Sequence, residues 1–308
     1  MAHKKILITG GTGFIGANLA RYFVQRGDEV ILLVKPSSNR WRITDIEHDL
    51  ELMLFGINQH SYIKEIAPDW IFHTAVYGGY SWQQGLNTIM KTNLNGTIRF
   101  LNECIETGFE SFINTGSSSE YGFKNHPTDE DECVEPNSNY AFSKASATLY
   151  CQFKARELNL PISTLRLYSV YGQYEDGKRF IPQIILNGLN KKYPTLSSPD
   201  TARDYVHIDD VIKAYELAAQ FNSGEIINIG TGEQTTISDV VTLAQDKFRI
   251  NQMARFNTLE NRIWDTNVWV AENKLIKSYG WNPMDFKTGF DKTVKWFKEN
   301  LQLYNVTS

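Results

Sequence analysis

The stretch that most restricts the fold of this chain runs from Ile6 to Gly27. It holds an apolar run, then a cluster of glycines, then a helical pattern. Ile6-Leu7-Ile8-Thr9 reads as a short buried strand, and Gly10-Gly11-Thr12-Gly13-Phe14-Ile15-Gly16 follows it without a spacer. Phe14, Ile15, Leu19, Phe23 and Val24 then recur at helical spacing, and Gly27 is placed as the C-cap. A strand joined to a helix by so tight a glycine turn opens a βαβ unit whose backbone can approach phosphate groups. Gly11, Gly13 and Gly16 satisfy G-x-G-x-x-G, while Gly10, Gly13 and Gly16 satisfy the alternative three-residue spacing. On either reading the missing side chains leave room for a pyrophosphate whose charge faces the helix N-terminus. The expected ligand is a dinucleotide, held by Gly10, Thr12, Gly13, Phe14, Ile15 and Gly16.

Val30 to Val34 is a second buried strand, stopped by Lys35-Pro36, and its end bears on which dinucleotide fits. Proteins that take NAD usually place an acid there, which accepts bonds from the ribose 2′-hydroxyl. Here the strand runs into Lys35-Pro36-Ser37-Ser38-Asn39-Arg40, with no carboxylate until Asp45. Lys35, Ser37, Ser38 and Arg40 offer two cations and two hydroxyls to a 2′-phosphate. NADP(H) is therefore expected over NAD(H).

Further strands are expected near Leu50–Phe55 and at Trp70–His73, Ser111–Asn114 and Ile162–Leu167. Helical stretches separate them, roughly Ser61–Ile66, Asn87–Glu106 and Tyr140–Leu158. This alternation argues an α/β fold, a doubly wound parallel sheet of the Rossmann kind. After Gly172 the pattern loosens. Pro182, Pro194 and Pro199 punctuate short segments before a helix near Asp209–Gln220 and a strand at Ile226–Ile229. The last third, with Trp264, Trp269 and Trp281, reads as a smaller lobe woven into the first. The expected division is residues 1–172 with about 200–232 for the dinucleotide, and about 173–199 with 233–308 for the substrate.

Composition narrows the partners. The 308 residues are 42% apolar and 21% charged, which suits a packed core and not long disorder. The longest unbroken apolar run is Val30–Val34, too short to span a bilayer. The basic start reaches only Ile6-Leu7-Ile8 before Thr and Gly intervene, so no signal region forms and a cytoplasmic location is expected. With 31 Lys+Arg against 35 Asp+Glu and no basic stripe, nucleic acid is not an expected partner. Cys104, Cys133 and Cys151 form no C-x-x-C, and no two histidines stand at metal-ligand spacing. Neither a disulfide framework nor a metal is expected.

Tyr140-Ala141-Phe142-Ser143-Lys144 opens the long helix and puts Tyr140 and Lys144 at i and i+4, on one face. A free phenol, with a pKa of about 10, is a poor base at neutral pH. A neighbouring ammonium and an oxidised nicotinamide ring both favour the phenolate. The pair can then pass a proton to or from a substrate oxygen while hydride moves. Thr115-Gly116-Ser117-Ser118-Ser119-Glu120-Tyr121-Gly122 follows the fifth strand at the carboxyl edge, where ligands bind in this architecture. A hydroxyl there can hold a carbonyl oxygen.

Taken together, these motifs resemble those of the extended short-chain dehydrogenase/reductases, the nucleotide-sugar epimerase, dehydratase and reductase family. The resemblance runs through Gly10-x-x-Gly13-x-x-Gly16, Ile71-Phe72-His73-x-Ala75 and Asn93-x-Asn95-Gly96-Thr97. It continues through the serine segment, Tyr140-x-x-x-Lys144, Leu165-Arg166 ahead of Tyr171-Gly172, and Arg203-Asp204-Tyr205-Val206-His207-x-x-Asp210. Gly280-Trp281-Asn282-Pro283 is similar to the family's usual close. The resemblance implies that Tyr140 is the acid/base and that Lys144 binds the nicotinamide ribose and tunes Tyr140. It adds Ala75 and Asn93 to the cofactor's surroundings. The family's catalytic Ser/Thr falls on Ser117, or on Ser118 if one residue is missing before Tyr121. Arg203 and Arg262 are implied as contacts to the sugar-nucleotide phosphates, and Phe180 as part of the nucleotide pocket. Homodimers built on the two helices Asn87–Glu106 and Tyr140–Leu158 are implied as well.

Departures bear on the reaction. Dehydratases of the family place an acid directly after the catalytic Ser/Thr, where this chain has Ser118 and Ser119, with Glu120 one place late. Gly56 replaces an adenine-contacting Asp, and Ser169 an Asn common in epimerases. An epimerase recycles its cofactor, whereas a reductase draws reducing equivalents, usually from NADPH. The expected activity is NADPH-dependent reduction of the 4-keto group of a nucleoside-diphospho-4-keto-6-deoxyhexose. An epimerase or 4,6-dehydratase with tightly held NAD(P) is the alternative, ahead of a non-catalytic dinucleotide-binding protein.

Overall fold

The computed structural model of the chain describes residues 3–55, 59–80, 82–221, 224–258 and 267–305. Its apolar runs become β1 (Lys5–Thr9), β2 (Glu29–Val34), β3 (Glu51–Leu54), β4 (Trp70–His73), β5 (Ser111–Ser117) and β6 (Ile162–Leu167). Between them run α1 (Phe14–Arg26), α2 (Gln59–Ile66), α3 (Leu86–Met90), α4 (Gly96–Thr107) and α5 (Asn139–Leu158). Next come β7 (Ser169–Tyr171), α6 (Phe180–Leu189), β8 (Ala202–Arg203), β9 (Tyr205–His207), α7 (Ile208–Phe221) and β10 (Ile226–Ile229). After β11 (Thr235–Thr236) follow α8 (Ile237–Phe248), α9 (Lys274–Ser278), α10 (Phe286–Glu299) and α11 (Gln302–Asn305).

The main sheet has seven strands in the order β10-β6-β5-β4-β1-β2-β3, and all neighbours are parallel. Parallel pairing requires crossovers, so helices cover both faces and the strands are buried on both sides. Alternate residues of each strand serve opposite layers. Ile6, Ile8, Leu32, Phe72 and Ile113 join Phe23 of α1 and Tyr215 of α7 in one layer. Leu7, Ile31, Ile71 and Phe112 join Leu101 and Cys104 of α4 and Cys151 of α5 in the other. A third cluster lies off the sheet, where α6, α8 and α10 pack through Ile184, Val240, Phe290 and Phe297.

Strand order reverses between β1 and β4, which opens a crevice at their carboxyl ends, and the glycine turn after β1 forms one side of it. Two local features shape the other side. The fifth strand runs three residues beyond the expected Asn114, because Thr115, Gly116 and Ser117 keep register with Leu165, Arg166 and Leu167. That extension carries Ser117 to the sheet's edge. The single helix expected at Asn87–Glu106 is instead α3, a π turn at Lys91–Asn95, and α4. Within the turn, Asn93 reaches out to bond Tyr77 and Ser143, and such a contact favours a local widening of the helix.

Candidate active site

Gly10 sits at φ +68°, and a Cβ there would stand 2.7 Å from the backbone nitrogen of Ala75. At Gly16 a Cβ would lie 2.4 Å from the Gly10 carbonyl, so helix and turn close only on glycine. Gly13 is the N-cap of α1 and donates to the Gly10 carbonyl at 2.8 Å. No side chain caps that helix, and its first turn carries no acid. Its opening N–H groups are thus available to an anion, and the cradle fits a dinucleotide pyrophosphate. Gly11 instead packs beneath the turn, where a Cβ would meet Leu32.

From this turn a cleft of about 870 Å³ extends along the sheet edge, with Gly13, Ser117, Tyr140, Lys144, Ser169 and Arg203 in its walls. That volume suits a ligand of cofactor or drug size. Ser138 caps α5, its hydroxyl accepting from Ala141 N at 3.1 Å, and so sets Tyr140 and Lys144 on the helix face toward the cleft. The Tyr140 phenol is held above its ordinary value by burial, partly offset by its hydrogen bond with Ser117. Burial also draws Lys144 below the usual ammonium range, against the pull of the Glu120 charge. Ser118, although in the cleft wall, turns its hydroxyl to accept from Trp269 Nε1 at 3.0 Å. Ser117 rather than Ser118 is therefore the serine beside Tyr140.

Glu120 faces away from the cleft. It is fully buried, accepts from Ser117 N at 2.8 Å and Thr148 Oγ1 at 3.1 Å, and pairs with buried Arg166 at 3.0 Å. Together with the bond from Ser119 N to Ser117 Oγ at 3.2 Å, this makes a capping box that fixes the serine turn. His73 is equally internal. It lies between Thr9 Oγ1 at 2.7 Å and Thr97 Oγ1 at 2.9 Å, and burial pushes it down to about 3. It is neutral and ties β1, β4 and α4 together.

Other residues singled out in the sequence fall elsewhere. Lys35 and Ser37 are exposed, Ser38 Oγ accepts from Lys35 N at 3.1 Å, and Arg40 pairs with Glu47 at 2.7 Å on the surface. None of the four is in the cleft wall, whereas Arg42 is. Asp45, the first carboxylate after β2, is held by Arg21. Thr12, Ala75, Asn93 and Phe180 also lie outside the wall. Ala75 abuts Gly10 from behind, and Asn93, with its amide on Tyr77 and Ser143, shapes the loop after β4. Phe180 packs on the cluster of α6, α8 and α10. Arg203 reaches the cleft with its guanidinium 5.2 Å from the Trp269 ring centre. Its neighbour Asp204 accepts instead from Thr231, Gly232 and Ala271. Arg262 and Gly56 lie outside the described residues.

Two wall residues carry no motif and are found only by their surroundings. Asn137 keeps a buried Nδ2 without a partner, and Glu175 a buried Oε2 without one. Among the described residues, no His, Cys, Asp or Glu group is placed to hold a metal ion, and no helix is long and apolar enough to cross a membrane.

The reversed strand order, the glycine cradle at the reversal and the Ser-Tyr-Lys cleft define a Rossmann-like fold of the extended short-chain dehydrogenase/reductase type. Residues 6–230 match the model of the NAD dependent epimerase/dehydratase family, and the chain belongs to that family. It is 26% identical over 310 residues to the dTDP-4-dehydro-6-deoxyglucose reductase of Escherichia coli, covering 94% of this chain and 96% of that protein. A trifunctional UDP-glucose 4,6-dehydratase, 3,5-epimerase and reductase of Arabidopsis thaliana is 27% identical over 325 residues, or 96% of this chain. The chain spans about half of that longer protein, 48% of its length. The solved dTDP-glucose 4,6-dehydratase of Streptomyces venezuelae, which has NAD bound, superimposes with a TM-score of 0.86 at 26% identity. That match covers 96% of this chain and 98% of the other.

Proposed function

We propose that this is a cytoplasmic, homodimeric, NADPH-dependent reductase of the 4-keto group of a nucleoside-diphospho-4-keto-6-deoxyhexose, acting in deoxysugar biosynthesis. The observation that carries the reading is the position of Glu120. Loss of water from a sugar needs an acid presented beside the catalytic serine. Here the only carboxylate of that segment is buried against Arg166, and Ser118 and Ser119 stand in the wall instead. The end of β2 supports NADPH as the donor, since Lys35 and Ser37 are exposed there, Arg40 is taken by Glu47, and Asp45, the first carboxylate after the strand, is held by Arg21 and so is not free for a ribose hydroxyl.

When bound, the reduced nicotinamide supplies the hydride that C4 of the sugar receives. The chain's own residues do the rest. Ser117 Oγ holds the ketone oxygen, and Tyr140 gives it a proton. Because burial keeps the Tyr140 phenol above its ordinary value, it carries that proton at neutral pH, which suits an acid in the direction of reduction. Lys144 then favours the phenolate left behind. Arg203, beside Trp269 in the cleft wall, would then meet the sugar-nucleotide phosphates.

The test is NADPH consumption, with NADH in parallel, against TDP-, CDP- and GDP-linked 4-keto-6-deoxyhexoses. Stoichiometric oxidation with one of them is expected, with NADPH preferred. No oxidation with any sugar, in protein that still binds NADP(H) or NAD(H), would transfer the reading to an internally recycling epimerase or dehydratase.

The homodimer reading rests on α5. Its inner face buries Ala141, Lys144, Ala145, Thr148 and Cys151, yet Phe142, Leu149 and Phe153 are 52%, 58% and 51% exposed on the other side. A helix apolar on both faces is one covered on both. Leu149→Glu should weaken association by about 2 kcal/mol, roughly 30-fold in Kd, with the melting temperature of the monomer unchanged. Sedimentation of the wild-type protein as a monomer at micromolar concentration would end the dimer reading.

A further inference from the structure

Within the same cleft, we propose that Arg42 and Glu175, with Arg179 beside them, form a phosphate-binding subsite. It rests on the reading of the cleft as a nucleotide site and adds residues that no motif of the sequence marks.

The segment that carries Arg42 crosses the outer side of α1. Arg21 of that helix donates to the Arg42 carbonyl and also holds Asp45. Arg42 Nε donates to the Tyr174 carbonyl at 2.7 Å, and its guanidinium lies 4.4 Å from the Trp41 ring centre. The cation is therefore fixed in the cleft wall that also includes Gly13, Phe14 and Ile15 at the start of α1. A largely desolvated cation in a cleft is stabilised by an anionic partner.

Across from it stands Glu175, 5% exposed. Its Oε1 lies 3.6 Å from Arg179 Nε, while Oε2 is buried without a partner. An unpaired buried oxygen is destabilising, and a ligand that bonds it removes that cost. The groups facing Glu175 are Arg179 and Asp176 of its own loop, Arg42, Tyr171 of β7 and Tyr304 of α11, with Tyr80 after β4 beside Arg42 and Asp176. Tyr304 donates to the Glu175 carbonyl at 2.8 Å, and Asp176 accepts from Tyr80 at 3.2 Å. Burial outweighs Arg179 and pushes the Glu175 carboxyl up to about 8, so at pH 7 it is mostly a neutral O–H donor. Two guanidinium groups and a carboxylic O–H present donors to the cleft, which is the complement of phosphate oxygen. Once ionised, Glu175 would repel the same ligand.

Binding of NADPH, NADH and free nucleoside diphosphates (CDP, TDP and GDP), by calorimetry, tests the assignment. Arg42→Ala should weaken one of these classes about 10- to 100-fold and lower the salt dependence of what remains, and Arg42→Lys should lie between. Equal loss of NADPH and NADH places the dinucleotide pyrophosphate at the subsite, and loss of NADPH alone places the 2′-phosphate there. Loss of the nucleoside diphosphates alone places the sugar nucleotide there. Glu175→Gln keeps a neutral donor that cannot ionise, so the pH dependence of its affinity, rather than its value at pH 7, is the readout. The fall in affinity above pH 8 expected of the wild type should then vanish, since the protonated form favours binding and is lost as pH rises through its pKa. The proposal is overturned if Arg42→Ala and Arg42→Lys bind all three classes as the wild type does. It is overturned equally if Glu175→Gln keeps the wild-type alkaline decline. Because binding is the readout, failure to reduce any ketosugar would sink the reductase reading and leave this subsite standing.

Discussion

Tyr140→Phe should lower turnover of the ketosugar by about 10²–10⁴-fold while dinucleotide affinity changes by no more than a few-fold. The variant removes one oxygen and keeps the ring, so the packing of Tyr140 at the head of α5 is retained. What disappears is the hydroxyl bonded to Ser117 and the proton it carries. Hydride arriving at C4 would then leave an alkoxide with no acid beside it. In the wild type, burial holds the phenol above its ordinary value, so the protonated form persists throughout the neutral range and is lost only on the alkaline side. Reduction should accordingly be level across neutral pH and decline toward high pH, and Tyr140→Phe should abolish that decline together with the rate. Single-turnover kinetics with saturating NADPH separates the chemical step from binding. A variant that keeps a third of wild-type turnover would remove Tyr140 from its role as the acid.

What the sequence discloses here is what local chemistry decides. Gly10 and Gly16 are legible because a turn of that tightness excludes a Cβ whatever surrounds it. Tyr140 and Lys144 are legible because residues four apart on a helix share a face. The strands at Ile6, Val30 and Trp70 are legible because a sheet covered on both sides favours apolar runs. Arg40 and Arg42 show where this stops. They are two residues apart in an irregular segment, and only its path over α1 sends one to Glu47 and the other to the cleft. Asn93 belongs to a motif without touching the cleft, since its amide is engaged by Tyr77 and Ser143. Asn137 and Glu175 are ordinary polar residues of loops, and only burial without a partner distinguishes them. The choice between Ser117 and Ser118 needed Trp269, which donates to the Ser118 hydroxyl from far along the chain and leaves Ser117 as the serine bonded to Tyr140.

Glu120 carries the second large effect, and it should appear as stability. Glu120→Ala leaves Arg166, itself 2% exposed, as a buried cation without its carboxylate, which generally costs about 3–5 kcal/mol. The same change removes the acceptor for Ser117 N and Thr148 Oγ1 and opens the capping box under the serine turn. Denaturant unfolding should show the loss directly. The double variant Glu120→Leu with Arg166→Met should recover most of it, since an apolar pair of similar volume avoids burying either charge. Glu120→Gln separates structure from chemistry. Its amide oxygen can still accept from Ser117 N, so the turn persists and a reductase should keep turnover within about tenfold, with part of the destabilisation. An enzyme that eliminated water through this carboxylate would behave otherwise, retaining its fold and losing the reaction. The buried pair with Arg166 argues for the first outcome: a fully buried carboxylate outside the cleft wall, bonded to a guanidinium, a backbone N–H and a threonine, is not presented to the sugar.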